Sequence, residues 1–386
     1  MATRGDAALQ SVVDSTATSQ HDHELSSAEE QTPVPGSISK EASKEASVDA
    51  PVEYVTGIKL GLIIGSIALA CSLQLLDTMI VSTAIPRITD RFNSLPDVGW
   101  YASAYQFGSA APQPLTGKVY MYFNTKWSFL FFFGVFELGS LLCGVAVSSN
   151  MLIVGRAVAG FGAAGIINGA LTIIACCAPV EKRPSLIGLV MGLNQLGLIA
   201  GPLIGGVLTS YTTWRWCFYI NLPLGAFTAG ILLLLRIPEP WPKPKLMVIL
   251  PKLHHHLDLI GFVLFAPALL QLLLALQYGD NEYSWDSSRV IGLFCGSTAN
   301  FAVWFFWNRY KGDDALIPLS MVKNKAVWSS ALFQSFMFSA IYVATFFLPI
   351  YFQAISNKSP ILSGVYLLPS ILLQLLAASI SGPLRK

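Results

Sequence analysis

The 386 residues are 53% hydrophobic and only 12% charged, where a soluble domain carries roughly 25% charged residues. A net charge of +2 offers no basic surface for a nucleic acid and excludes that class of partner. The mean hydropathy of +0.57 points to a chain that lives in lipid.

Residues 1–56 stand apart, rich in Ser, Ala, Glu, Asp and Thr and almost free of aromatics. Such a composition buries too little apolar surface to offset chain entropy, so a disordered cytoplasmic tail is expected. It lacks the basic, apolar, small-residue layout of a signal peptide, so the first membrane helix would act as its own uncleaved signal.

From Leu60 onward, apolar runs of about 20 residues recur, the length a helix needs to cross roughly 30 Å of hydrocarbon. Ten spans are expected, near Leu60–Pro86, Val98–Met121, Trp127–Val147, Met151–Ala178, Pro184–Ser210, Phe218–Leu235, Leu257–Tyr278, Arg289–Trp307, Trp328–Gln353 and Ser363–Pro383. Hydrocarbon tolerates no unpaired backbone, so the fold class is an all-α integral membrane bundle. The six cysteines, Cys71, Cys143, Cys176, Cys177, Cys217 and Cys295, fall in or beside these runs without metal-ligand spacing and read as small packing residues.

Lysine and arginine bias sets the expected orientation. With the N-terminus cytoplasmic, the inner side receives Lys59, Lys118, Lys126, Lys182, Arg183, Arg236, Lys243, Arg309 and Lys311 among others, and the outer side only Arg87, Arg91, Arg215, Arg289 and Lys358. Five prolines between Arg236 and His256 forbid a continuous helix there. The expected organisation is therefore a six-helix bundle over 57–236, a cytoplasmic proline-rich loop over 237–256, a helix pair over 257–308 and a further bundle segment over 309–386. His254, His255 and His256 are adjacent, so they point in different directions and read as a solvated face more readily than as a metal site.

An ionised group inside a membrane is costly and marks function by default. Asp77 in the first span, Glu137 in the third and Arg156 in the fourth are the candidates for proton coupling. A carboxylate in a partly dry site beside a cation can be tuned to gain and lose a proton, and an arginine stays charged throughout. The alternative for each is a purely structural hydrogen bond or ion pair. In the fifth span Gly192, Gly197, Gly201, Pro202, Gly205 and Gly206 combine close backbone approach with an interrupted hydrogen-bond ladder, which suggests a tightly packed, kinked gating helix. Tyr105, Gln106, Gln113, Asn168, Asn194 and Gln195 are candidates to line a substrate cavity, with helix-to-helix hydrogen bonding as the equal alternative.

Taken in order, Leu76 to Pro86, Ile153 to Gly165 with Arg156, Gly192 to Gly206, and Trp214 to Pro223 resemble four signatures of the major facilitator superfamily, specifically its fourteen-helix drug:proton antiporter branch of fungal toxin and multidrug efflux pumps. The loop Gly117 to Lys126 keeps that family's glycine and late basic residue but has Met121 where an acidic residue is usual. The resemblance implies export of small organic molecules (drugs, toxins or secondary metabolites) in exchange for protons, with no cofactor beyond the proton gradient and no enzymatic reaction. It further implies a multi-pass protein of the plasma membrane, monomeric if full length, with vacuolar or vesicle membranes as alternatives. A proton-coupled uptake carrier is the second expectation. Because the resemblance implies fourteen helices against ten spans, residues 257–308 would be the linker helices seven and eight. Residues 309–386 would then form an incomplete second bundle of a C-terminally shortened chain, and a non-transporting remnant is a third expectation.

Overall fold

The computed structural model describes residues 54–240, 243, 253–280 and 282–357, with scattered positions between 362 and 376. Every regular element among them is helical, apart from an isolated bridge between Gly279 and Tyr283. In chain order the helices are α1 (Gly57–Phe92), α2 (Val98–Ala110), α3 (Gln113–Tyr122), α4 (Thr125–Gly144), α5 (Ser149–Cys177), α6 (Arg183–Tyr211), α7 (Trp216–Tyr219), α8 (Asn221–Leu234), α9 (Leu253–His256), α10 (Leu259–Tyr278), α11 (Ser288–Lys311), α12 (Leu319–Lys323) and α13 (Lys325–Ala354). Among the described residues, seven stretches are long and apolar enough to cross a membrane, α7 and α8 counting as one.

The expected spans map onto these helices with three local corrections. The first does not stop at Pro86: α1 runs on to Phe92 and ends where Asn93 turns left-handed, at φ 50° and ψ 45°. One missing backbone donor removes a single rung, which a helix in a bundle tolerates. The second span divides into α2 and α3 at Ala111 and Pro112, because Pro112 and Pro114 cannot donate to the ladder. The sixth divides at Ile220, three residues before Pro223, for the same reason. The ninth is α13, whose stretch from residue 325 to 340 is exposed on every face. Most of the tenth expected span, the tail up to residue 53 and most of the proline-rich loop lie outside the described residues.

Local sequence explains where the helices start. Asn124 accepts from Trp127 N at 3.1 Å, Ser148 from Met151 N at 3.3 Å, Asp258 from Gly261 N at 3.2 Å and Ser287 from Val290 N at 3.3 Å, each satisfying a first-turn donor that the helix leaves open. Helix pairing then follows small-residue faces: α1 packs along α6, α4 along α5, α2 across α5, and α10 along α11.

The core of the first six spans is two apolar clusters stacked along the helix axes. One gathers Ile63 to Leu73 of α1 with Tyr105, Phe129, Phe133, Phe136, Ala163 and Ile166. The other gathers Leu76, Ile80 and Ile88 with Tyr101, Cys143, Leu152 and Phe218. Five of the six cysteines are buried and free, as packing residues should be, but Cys295 is exposed on α11, so the packing expectation fails there: its side chain leaves the α10 contact. Of the histidine run, His256 packs on Tyr122 with ring centroids 5.0 Å apart, while His254 and His255 are exposed.

One end of this bundle is tied by backbone carbonyls and cations. Val55 N donates to Cys177 O at 3.1 Å. Lys126 Nζ donates to Leu233 O and Leu235 O, both at 2.8 Å, capping the carbonyl end of α8 as a cation there should. Lys243 Nζ donates to Tyr120 O, Phe123 O and Thr125 Oγ1 at 3.0, 2.5 and 2.8 Å. Glu239 Oε1 accepts from Thr125 N at 2.6 Å.

Candidate functional site

Asp77 and Arg156 meet where the two apolar clusters adjoin. Asp77 sits in mid α1 just past Leu76, and Arg156 lies two turns into α5; they are 0% and 1% exposed, and Arg156 Nη1 reaches Asp77 Oδ2 at 2.5 Å. Burial of both ions is costly unless they are also hydrogen-bonded; both Asp77 oxygens and Arg156 Nε and Nη1 are, while Asn221 Oδ1 beside them has no partner among the described residues. Arg156 Nε donates to Tyr101 O at 3.0 Å, and its guanidinium lies over the Tyr105 ring, 4.4 Å from the centroid. Asn221, at the first position of α8, donates through Nδ2 to Asp77 Oδ1 at 3.0 Å and to Ser140 Oγ of α4 at 3.1 Å. One carboxylate thereby joins α1, α4, α5 and α8.

Of the cavity candidates, only Tyr105 is brought to the ion pair. Gln106 and Gln113 are exposed. Asn168 donates to Thr116 Oγ1 at 2.6 Å and to Gln113 O at 3.2 Å, which is hydrogen bonding between helices. Asn194 and Gln195 are half-buried on α6, and Asn194 Oδ1 is buried with no hydrogen-bond partner among the described residues.

The glycines of α6 lie along α1. A Cβ at Gly197 would stand 2.5 Å from Ser72 O, and one at Gly201 would stand 2.7 Å from Met79 Cβ; Gly205 faces Thr83, Gly192 is buried, and Gly206 faces open space. Pro202 lies inside an unbroken α6.

Glu137 stands apart from the ion pair's hydrogen bonds. On α4, one turn before Ser140, it turns toward Gly225 of α8, and both its carboxyl oxygens are buried without a partner among the described residues. In the last turn of α3, Met121 is 63% exposed and takes no part in a latch. Lys118, also in α3, donates to Asp314 O at 3.3 Å, while Lys126 reaches the carbonyl end of α8.

Sequence inspection did not single out Asn221, Ser140 or Tyr101. Asn221 and Ser140 carried a usable signal, since a small polar side chain at the apolar interior of a span generally bonds across helices. Tyr101 carried none, because it contributes its backbone carbonyl.

Comparison with known proteins places the chain in a family. The Major Facilitator Superfamily profile matches residues 67–386. The chain is 61% identical over 331 residues to the MFS-type transporter pigP of Monascus ruber, covering 86% of this chain and 58% of that one. It is 50% identical over 336 residues to the efflux pump mokI of Monascus pilosus, covering 85% and 62%. The chain thus spans about three-fifths of the length of the curated relatives it matches. Among solved structures, the MFS proton:xylose symporter XylE bound to 6-bromo-6-deoxy-D-glucose aligns with a TM-score of 0.51 at 13% identity, over 83% of this chain and 68% of that one. At such identity the likeness concerns the fold alone. With a profile match over most of its length and a bundle built round a buried ion pair, this chain is an integral, multi-pass membrane protein that belongs to the major facilitator superfamily.

Proposed function

We propose that the protein takes part in exporting small organic molecules across a membrane in exchange for protons, and that it is a transporter and not an enzyme. The observation that carries this is the Asp77–Arg156 pair, closed off from both sides and shared by four helices. Relatives named as efflux pumps, such as mokI and the aflT protein of Aspergillus parasiticus, support the outward direction. The proton is the only small ion that would act on this pair without a coordination shell.

The physical step is an exchange of partners. While Asp77 is ionised, its attraction for Arg156 and its bond from Asn221 hold α1 against α5 and α8. Protonation removes the charge attraction, and Arg156 is left with the Tyr101 carbonyl and the Tyr105 ring. The packing of α1 is then biased toward a second arrangement, which is the differential interaction that a switching element requires. A carrier rocking two bundles about a midplane site would use this bias to couple proton entry to reorientation. We place the N-terminus in the cytoplasm and the protein in the plasma membrane on the lysine and arginine distribution and the export reading.

The test is Asp77→Asn. Uncoupler-sensitive efflux of substrate from cells is expected to fall to background while membrane insertion, checked by fractionation, stays normal. Unchanged uncoupler-sensitive efflux would remove Asp77 from the coupling role. Uncoupler-sensitive accumulation inside the cell would reverse the direction assigned here.

A further inference from the structure

Glu137 is a carboxyl group the ion pair does not use. Along α4 it lies about 18 Å from the Thr125 end and about 10 Å from the Gly144 end at 1.5 Å per residue. Its two oxygens are buried and have no hydrogen-bond partner among the described residues. Hydrocarbon offers such a group no partner, so an occupant that satisfies it is favoured.

The carboxyl faces a groove of about 200 Å³ between α4 and α8, lined by Phe133, Gly134, Leu222, Gly225 and Ala226 among others. Gly134 and Ala226 are exposed, as are the flanking Phe131, Leu138, Leu224 and Phe227, so the groove opens on the outer face of the bundle. Gly225 makes the space: a Cβ there would collide with the Glu137 carboxyl. The groove is many times the roughly 10–15 Å³ of such space that one water needs, so it admits a short alkyl arm.

From this geometry we propose that the α4–α8 groove binds the alkylammonium arm of a free amphiphilic amine, the N–H groups donating to both oxygens of Glu137 and the carbons lying on Phe133 and Leu222. The two unpartnered oxygens call for a donor with at least two N–H groups, and the apolar lining calls for a hydrocarbon stem. An aminolipid carries the same head chemistry, but its head is anchored at the interface, and Glu137 is about 10 Å inside the nearer helix end. The site goes beyond the export reading and does not depend on proton coupling.

The experiment uses the chain in phosphatidylcholine nanodiscs, with no gradient, and follows dansylcadaverine fluorescence alongside its N-acetyl derivative. Wild type is expected to bind the amine at least about tenfold more tightly than Glu137→Gln does, since bonds to a charged group are worth that much, and to show no such difference for the acetylated probe. Gly225→Leu fills the groove and is expected to abolish binding of the amine. Should that variant misfold, the near-isosteric Glu137→Gln still decides the matter. Equal affinity of wild type and Glu137→Gln for the amine overturns the proposal, as does displacement of the probe when phosphatidylethanolamine is added to the nanodiscs. Because no flux is measured, failure of proton-driven export would leave either result intact.

Discussion

Asn221 shows how one amide can hold a charged centre in register. It gives one N–H to Asp77 and the other to Ser140, so losing it leaves a buried carboxylate and a buried hydroxyl each short of a donor. An unsatisfied buried group costs about 1–3 kcal/mol, and Asn221→Leu is expected to lower stability by that amount, read as a fall in the thermal midpoint of the detergent-solubilised protein. The effect belongs to the pair and not to leucine at the site: in a double-mutant cycle, Asn221→Leu should cost clearly less on an Asp77→Asn background than on wild type. Additive losses would mean that the two side chains do not interact. Asp77, Arg156 and Glu137 were all visible in the sequence as charges inside spans. Which carboxylate the arginine takes was not, since Asp77 is 79 positions away in the chain from Arg156.

At the scale of elements, the α1–α6 seam rests on glycines four residues apart. Gly197, Gly201 and Gly205 share one face of α6 against α1, and Ser72 Oγ adds a bond across the seam to Leu193 O at 3.1 Å. Gly197→Leu would force a side chain into the Ser72 carbonyl, and overpacking of this kind costs about 1–3 kcal/mol. Gly206 faces open space, so Gly206→Ala should be neutral or stabilising by up to about 1 kcal/mol from helix propensity. Thermal midpoints of the two variants, measured side by side, check the contrast, and equal midpoints would show that close approach is not what the motif supplies. The spacing of these glycines was legible beforehand because a helix repeats locally. That Gly206 points away from α1 was settled only by the rotation of α6 in the bundle.

For the whole molecule, the chain leaving α8 is fastened back onto the α3–α4 turn by Lys243 and Glu239. Lys243→Ala removes three bonds at once, and local opening there should become easier without global unfolding. Trypsin is expected to cleave after the exposed Arg236 several-fold faster in that variant, while the thermal midpoint stays within about 1–2 °C of wild type; an unchanged cleavage rate would mean the tie is cosmetic. The fastening also brings Lys126 and Lys243, assigned to one side from charge bias alone, to one end of the bundle.

The sequence by itself determined that the chain is an all-helical membrane bundle and which ionisable residues lie inside it. Hydrocarbon requires each span to satisfy its own backbone, so span length and polarity are local properties that can be read along the chain. Only the tertiary structure decided that Asp77 meets Arg156 and accepts from Asn221, that Glu137 turns instead to a groove beside Gly225, and that Asn168 bonds Thr116. Those outcomes depend on the rotation and depth of each helix against its neighbours, which are set by packing between residues far apart in the chain.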